Sequence, residues 1–363
     1  MSNKIIVLLF SVIIILLSCN TTEPPNINGN GQDTTSHNFT FQTWTFGEHS
    51  SSVLYDVAII DENNIWSVGE IYLNDSLGQP DPHAYGVIHW NGLEWEVKRL
   101  TVQNPSGGFS YITPTGIFVL GSDEIWLASG GIFLFDGVNI LQSFWLINYS
   151  GYTGGIFENG ETAQRLWGKS SNDLYTVGNK GALAHYDGSD WQKIESGTEL
   201  NIYDIYGQKS TNVEYEILCV AAEQSVSTDK KIIKIENNVP VNLSSSGILY
   251  SIRSVWFKPK SKYFVVGSGI FSKIDINSNQ AWTSVGEEIT EYYINSIDGN
   301  DLNDIVACGA YGELLHFNGK DWQSFQSVVQ LQAGSYREIK IKDNFIIAVG
   351  YDSPKAVMTI GQR

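Results

Sequence analysis

An all-β fold of seven four-stranded antiparallel blades, closed into a propeller, is predicted by three observations. A short apolar strand ending in a small residue recurs seven times, turn-forming residues separate the recurrences at the spacing of a four-stranded unit, and the two chain ends carry complementary parts of one such unit. The clearest copy is residues 174–191, LYTVGNKGALAHYDGSDW, and residues 305–322, IVACGAYGELLHFNGKDW, repeat its glycines, its His-aromatic pair and its Trp. In both, a β-branched or aromatic run, a turn, a second run and an Asp-Gly or Asn-Gly dipeptide follow one another, a pattern expected of successive hairpins with type I′ character at Asp187-Gly188.

In chain order, the apolar strand reads IWSVG (65–69), IWLAS (125–129), LYTVG (174–178), ILCVA (217–221), YFVVG (263–267), IVACG (305–309) and IIAVG (346–350). A first strand precedes each copy, over residues 54–60, 116–120, 164–168, 202–207, 252–257, 294–297 and 337–341. Asp, Asn and Ser turns such as Asp61-Glu62-Asn63-Asn64 separate the pair, and a third and fourth strand follow. Copies four and five depart, with Glu236-Asn237-Asn238 and Asp275-Ile276-Asn277 where the others have a glycine turn.

The last copy stops at Arg363 after three strands, whereas residues 39–44, FTFQTW, form a lone strand before the first copy, with Trp44 matching the fourth-strand Trp of other copies. That lone strand is expected to complete the seventh blade and so remove the open sheet edges. A buried Trp44 would make Trp44→Ala cost roughly 3 to 5 kcal/mol.

Ahead of the fold, Lys4, the apolar run 5–17 and Leu16-Leu17-Ser18-Cys19 read as a targeting segment too short to span a membrane comfortably. The expected organisation is a signal peptide over 1–18, a tether over 19–37 rich in Asn, Thr, Pro and Gly, and a single propeller over 38–363. Cys219 and Cys308 fall in different sheets and are expected to be buried and unpaired. Hydrophobic residues make up 42 % of the 363, enough for a large core. The formal net charge of −17 argues against nucleic-acid binding, because most of the surface would repel a phosphate backbone.

Leu-Leu-Ser-Cys resembles the bacterial lipobox, which implies cleavage before Cys19 and lipidation of its sulfur. The repeat itself, [IL]-[YW]-x-V-G followed by G-x-[IL]-x-H-[YWF]-[DN]-G-x-x-W, resembles the propellers of bacterial secreted lipoproteins and, more distantly, photosystem II assembly-factor-like and Asp-box propellers. The resemblance implies non-catalytic binding or assembly work in the cell envelope, with the membrane reached only through the lipid, at the outer membrane or cell surface. A protein or glycan partner and a monomer are expected, with no cofactor unless the channel carboxylates hold Ca²⁺.

Several side chains are candidates for function. His89, His185 and His316 share one third-strand position in different blades, so they are expected to pack within the repeat and not to gather round a metal. Trp44, Trp95, Trp191, Trp282 and Trp322 recur in outer strands and are expected between blades. The first strands ring the central channel, and one position on them reads Asp56, Gly116, Arg165, Asp204, Ser254, Ser296 and Glu338, with Arg253 and Arg337 one residue earlier. Those carboxylates could hold a cation such as Ca²⁺ and those arginines a carboxylate or sulfate, although a solvated ring of mutually compensating charges is the favoured expectation. Residues 71–84 and 146–162 lengthen loops beyond a minimal blade, and the second offers Tyr149, Tyr152 and Phe157 among glycines.

Two function classes follow. The favoured one is a lipid-anchored binding or assembly propeller, since no G-x-S-x-G, H-E-x-x-H or paired Cys-x-x-Cys is present. The alternative is a glycan-acting hydrolase or lyase, which would need Arg165, Arg253, Arg337, Asp56 and Glu338 to converge. Any ligand is expected on the face where first strands begin and second strands end, because both insertions follow such positions.

Overall fold

A computed structural model describes residues 33–149, 151–211, 213–223 and 228–363. Cys19, the apolar leader and the tether as far as residue 32 lie outside the described residues.

Seven four-stranded antiparallel sheets follow one another along the chain, each a simple meander. Their innermost strands are Val53–Asp61, Gly116–Gly121, Thr162–Ser170, Asn201–Lys209, Ile252–Lys258, Ile294–Asp301 and Gly334–Lys342. The seventh sheet takes its fourth strand from the other end of the folded chain. Thr40–Phe46 pairs antiparallel with Lys355–Gln362, from Thr40 opposite Gln362 to Phe46 opposite Ala356. The closure expected from the sequence is therefore made by seven consecutive residue pairs, and the seam is sealed by Leu54, Val57, Ile65 and Ile88 of blade one against Ile347, Val349 and Met358 of blade seven. Each such aliphatic side chain contributes about 1.5–3 kcal/mol on full burial.

The glycine that ends five of the seven second strands has a steric cause. A Cβ on Gly69, Gly178, Gly267, Gly309 or Gly350 would lie 1.9–2.3 Å from a carbonyl oxygen at the start of the neighbouring first strand, a distance no side chain tolerates. That crowding accompanies a β-bulge. In six blades the first strand carries one extra residue near its start, namely Tyr55, Gln164, Tyr203, Arg253, Asn295 and Arg337. A bulge re-aims side chains relative to the regular alternation.

The turns differ from expectation in one respect. Asp187-Gly188 and its equivalents do not form type I′ hairpins. Tyr186 pairs with Trp191 across a four-residue loop, in which Asp187 Oδ1 accepts from the backbone N–H groups of Ser189 and Asp190 and Gly188 alone takes a positive φ. The carboxylate, able to satisfy two amides at once, favours the longer loop. The I′ signature falls one turn earlier, at Lys180-Gly181 and Tyr311-Gly312, where both central residues have positive φ. In blade four, Asn237 and Asn238 both have positive φ and supply the same turn without glycine.

The repeat histidines do more than pack. His185 Nε2 lies 2.8 Å from Asp173 Oδ1, His316 Nε2 lies 2.9 Å from Asp304 Oδ1, and His89 Nε2 lies 3.1 Å from Asn64 Oδ1, so each ties a third strand to the residue that opens the second. The tryptophans do join blades. Trp191 packs with Trp126 and Ile132 of blade two, Trp282 with Leu218 and Ile232 of blade four, and Trp44 meets Trp95 edge-on at 5.8 Å. Trp44 is only half-buried, which lowers the expected cost of its truncation. Cys219 and Cys308 are buried and unpaired.

An extra two-stranded sheet, Leu100–Gln103 with Phe109–Ile112, follows blade one and had no counterpart in the sequence reading. Asp33 to His37, read as flexible, are also fixed. Thr35 Oγ1 donates to the Asn303 carbonyl, Asn303 Nδ2 to the Asp33 carbonyl, and His37 Nδ1 lies 2.7 Å from His316 Nδ1. The chain thus enters the propeller under blade six, against the turn joining its first two strands.

Candidate functional site

The bulges bring two successive residues of six first strands to the channel. The second of the pair forms an internal ring. Arg165 reaches across it with Nη1 3.6 Å from Asp56 Oδ2 and Nη2 3.5 Å from Glu338 Oε2, and it donates to the Thr115 and Tyr55 carbonyls. Blade two leaves room for this because Gly116 has no side chain, and a Cβ there would lie 2.3 Å from the Gln164 carbonyl.

Neighbouring blades are stitched by the same ring. The Ile117 N–H donates to Asp56 Oδ2, the Val255 N–H and the Ser254 hydroxyl to Asp204 Oδ2, and the Ser296 hydroxyl to Glu338 Oε1. Two members were not found from the sequence. Lys340 Nζ lies 3.0 Å from Glu338 Oε1, and Asp298 Oδ2 accepts from the Ile341 N–H at 3.0 Å. Both stand two residues further along their strands than the ring position, so strand alternation carried the signal that they face the channel too.

Burial dominates the electrostatics. It pushes Asp56 up to about 6, with Arg165 only partly opposing, and Asp298 up to about 6 against Lys340. Burial raises Asp204 as well, with the Glu338 charge adding to the effect. Glu338 goes the other way: burial alone would raise it, but Lys340 and Arg165 hold it below the ordinary carboxylate range. Asp56 and Glu338 are 4 % and 7 % exposed, so this part of the ring is buried where a solvated one was expected, and its four acids, Asp56, Asp204, Asp298 and Glu338, outnumber the cations Arg165 and Lys340. Among the described residues no group of three or more His, Cys, Asp or Glu is arranged to hold a metal ion.

The bulge residues themselves line the mouth above that ring. A cavity of about 280 Å³ is bounded by Tyr55, Gln164, Tyr203, Arg253 and Arg337, with Arg165 at its floor. Arg253 and Arg337 therefore join Arg165, as the hydrolase alternative required, but Asp56 and Glu338 are sealed beneath the Arg165 guanidinium. Arg253 Cζ sits 3.8 Å over the Tyr203 ring, and Arg337 Cζ 5.3 Å from the Tyr351 ring. A larger cavity, about 790 Å³, lies at the seam of blades seven and one between Trp44, Trp90 and Trp95. In its wall Trp95 lies edge-on to Trp44 and tilted against Trp90, so the three rings already contact one another.

Strand directions put both insertions on the mouth face, together with the extra hairpin. Residues 71–84 follow the second strand of blade one, while the hairpin and residues 146–162 follow fourth strands. Arg99 binds the first insertion to the hairpin, with Nη2 2.7 Å from Asp81 Oδ2 and its guanidinium between the Tyr85 and Tyr111 rings. In the second insertion Tyr149 is exposed and Tyr152 lines a cleft beside Trp145, but Phe157 is 2 % exposed. It packs with Leu146 and Trp126 and anchors the loop, so it is not a contact residue. Tyr250, Tyr292 and Tyr311, outside the candidates chosen from the sequence, are exposed on the same face, the last two with ring centroids 5.1 Å apart.

These features define a closed seven-bladed propeller with an arginine-lined channel mouth crowned by loops. Its structural likenesses are to other propellers. A structure described as YCF48 bound to D1 peptide aligns with a TM-score of 0.62 at 14% identity, covering 92% of this chain and 100% of that one. YCF48 from Cyanidioschyzon merolae aligns at 0.60 and 14%, covering 88% and 98%, and the WD40 propeller domain of Doa1 at 0.60 and 13%, covering 90% and 98%. At these identities the likeness is one of fold. No family model matches the chain, and no curated protein does.

Proposed function

We propose that this chain is a lipid-anchored propeller of the bacterial cell envelope that binds a protein partner on its mouth face and performs no chemistry of its own. The observation that carries the reading is the segregation of features between the two faces. Three chain excursions, five exposed tyrosines (Tyr111, Tyr149, Tyr250, Tyr292 and Tyr311) and the arginine mouth share one face, while Asp33 to His37 are fastened beneath blade six on the other. Rigid blades with long loops on one side are a common arrangement for recognition, and exposed Tyr with Arg suits protein contact. The YCF48 propeller described as bound to D1 peptide is a precedent for a peptide ligand on this fold.

The lipobox resemblance supplies the anchor. Only thirteen residues separate Cys19 from Asp33, a reach of at most roughly 45 Å, so an anchor at Cys19 would keep the propeller close to the membrane. Labelling cells with a palmitate analogue tests the anchor: label is expected on the wild type and not on Cys19→Ala, and equal labelling contradicts it. For the binding face, residues 146–162 and the hairpin are shortened separately, with changes at Val138 and Val213 on the opposite turns as controls. Loss of partner capture is expected from the first pair at unchanged melting temperature. The reverse pattern overturns the assignment.

A further inference from the structure

Five arginines occur in a chain of formal net charge −17, and three of them, Arg165, Arg253 and Arg337, line one cavity of about 280 Å³. Arg165 is occupied by Asp56, Glu338 and two carbonyls. The other two are not so occupied. Among the described residues neither Arg253 nor Arg337 forms an ion pair with a carboxylate, and Arg337 Nε is buried without a hydrogen-bond partner. Each guanidinium instead lies by a tyrosine ring, which fixes its plane and leaves its N–H edge free.

Two such cations lining one cavity are unfavourable without a counter-charge. Arg253 is pushed below the ordinary guanidinium range by burial, with the nearby Arg165 and Arg337 charges adding to the effect. No carboxylate lines the cavity to relieve this. Of the acids around it, Asp56 and Glu338 are committed to Arg165, Ser296, Lys340 and the Ile117 amide beneath, and Glu70 is hydrogen-bonded to Tyr55. A site of this kind is completed by an anion from outside. Its shape narrows the class. Planar guanidinium edges match the two coplanar oxygens of a carboxylate, and Ile202, Tyr203 and Tyr55 offer a wall to a carbon skeleton that sulfate or phosphate lacks. The cavity lies at the small end of ligand pockets, suited to a few heavy atoms.

We propose that the channel mouth binds an organic carboxylate held between Arg253 and Arg337. The proposal rests on the reading of the mouth face as the binding face and names the chemistry recognised there. The carboxylate has two possible sources, a free small acid or the terminus of a partner's chain.

The test titrates the full chain in detergent with succinate, with a tri-alanine peptide, with the same peptide amidated at its C-terminus, and with sulfate, by calorimetry at low salt. Wild type is expected to bind succinate or the free-acid peptide, with affinity falling at least tenfold in Arg253→Gln and in Arg337→Gln. Lys320→Gln, on the opposite face, should leave it unchanged. Melting temperature without ligand confirms that the variants are folded. Should a variant not fold, wild-type protein is compared at low and at 0.5 M salt, where charge-driven binding must weaken. Preference for succinate identifies a free acid, and preference for the free-acid peptide over its amide identifies a chain terminus. No carboxylate binding, binding of sulfate alone, or equal binding by folded Arg253→Gln and Arg337→Gln overturns the proposal. Because these probes need no partner, their failure would leave the loop-shortening result standing, and the two readings can fail separately.

Discussion

At the residue scale, the molecule is governed by what a bulge does to one side chain. Inserting Tyr55, Arg253 or Arg337 into the first strand turns that residue toward the mouth and sets the next one, Asp56, Ser254 or Glu338, into the ring below. The ring acids then sit in a low-dielectric wall. Asp298, pushed up to about 6 by burial, takes up its proton at higher pH when folded than when unfolded, where an ordinary Asp titrates near 3.9. Its contribution to stability is therefore fully present below about pH 4 and is lost as pH rises to about 6. We expect Asp298→Asn to flatten the fall in melting temperature across that window, while Glu338→Gln removes the opposite dependence, a loss of stability as pH falls through the carboxylate range. Melting curves from pH 3 to 8 check both, and an unchanged slope in Asp298→Asn would contradict the burial argument.

At the level of the strand pair, the glycine that ends the second strand in five blades and the bulge it faces are one device. Gly350→Ala would place a Cβ 2.1 Å from the Ser335 carbonyl and force the seventh blade's inner pair apart. We expect a loss of about 2–3 kcal/mol by chemical denaturation, in the range of overpacked cores. A cost below about 0.5 kcal/mol would show that the strand pair yields freely. The glycines were legible in the sequence as a small residue in every copy, and so was the ring register, because period-two alternation and an aligned repeat are enough to find it. The bulge was not legible, since Arg253 and Arg337 could be placed one position early without showing that the extra residue turns them into the mouth. The hairpin after blade one was not legible for another reason: its LTVQ and FSYI runs sit within the copy-one-to-copy-two spacing and carry no repeat motif that sets them apart. Phe157 was misplaced because a glycine-rich loop gives no periodicity from which to judge burial.

For the whole molecule, closure by the N-terminal strand decides which ends can be removed. Deleting residues as far as 32 should leave stability unchanged, whereas deletion to 36 removes the Thr35 bonds to blade six and the Ser36 carbonyl that accepts from Arg363. Deletion to 46 opens the seventh blade and uncovers the faces of Val357 and Met358. Trp44→Ala should cost about 1–3 kcal/mol, less than for a fully buried site, because the indole is half-exposed against Trp95. Thermal melts on this series check the order, and an unchanged melting temperature after deletion to 46 would refute closure. The closed ring also fixes the two faces relative to the chain's point of entry, which is what gives the mouth a direction.

That direction is tested most directly by site-specific photo-crosslinking in cells that make the full chain. A photoreactive residue is placed in turn at Tyr149, Tyr250 and Tyr311 on the mouth rim, and at Val138 and Val213 on the opposite turns, all of them exposed. We expect a discrete partner adduct from the rim positions, weakened when Arg253 and Arg337 are both changed to Gln, and none from the opposite turns. An adduct formed only from Val138 or Val213 would contradict the assignment of the mouth as the binding face.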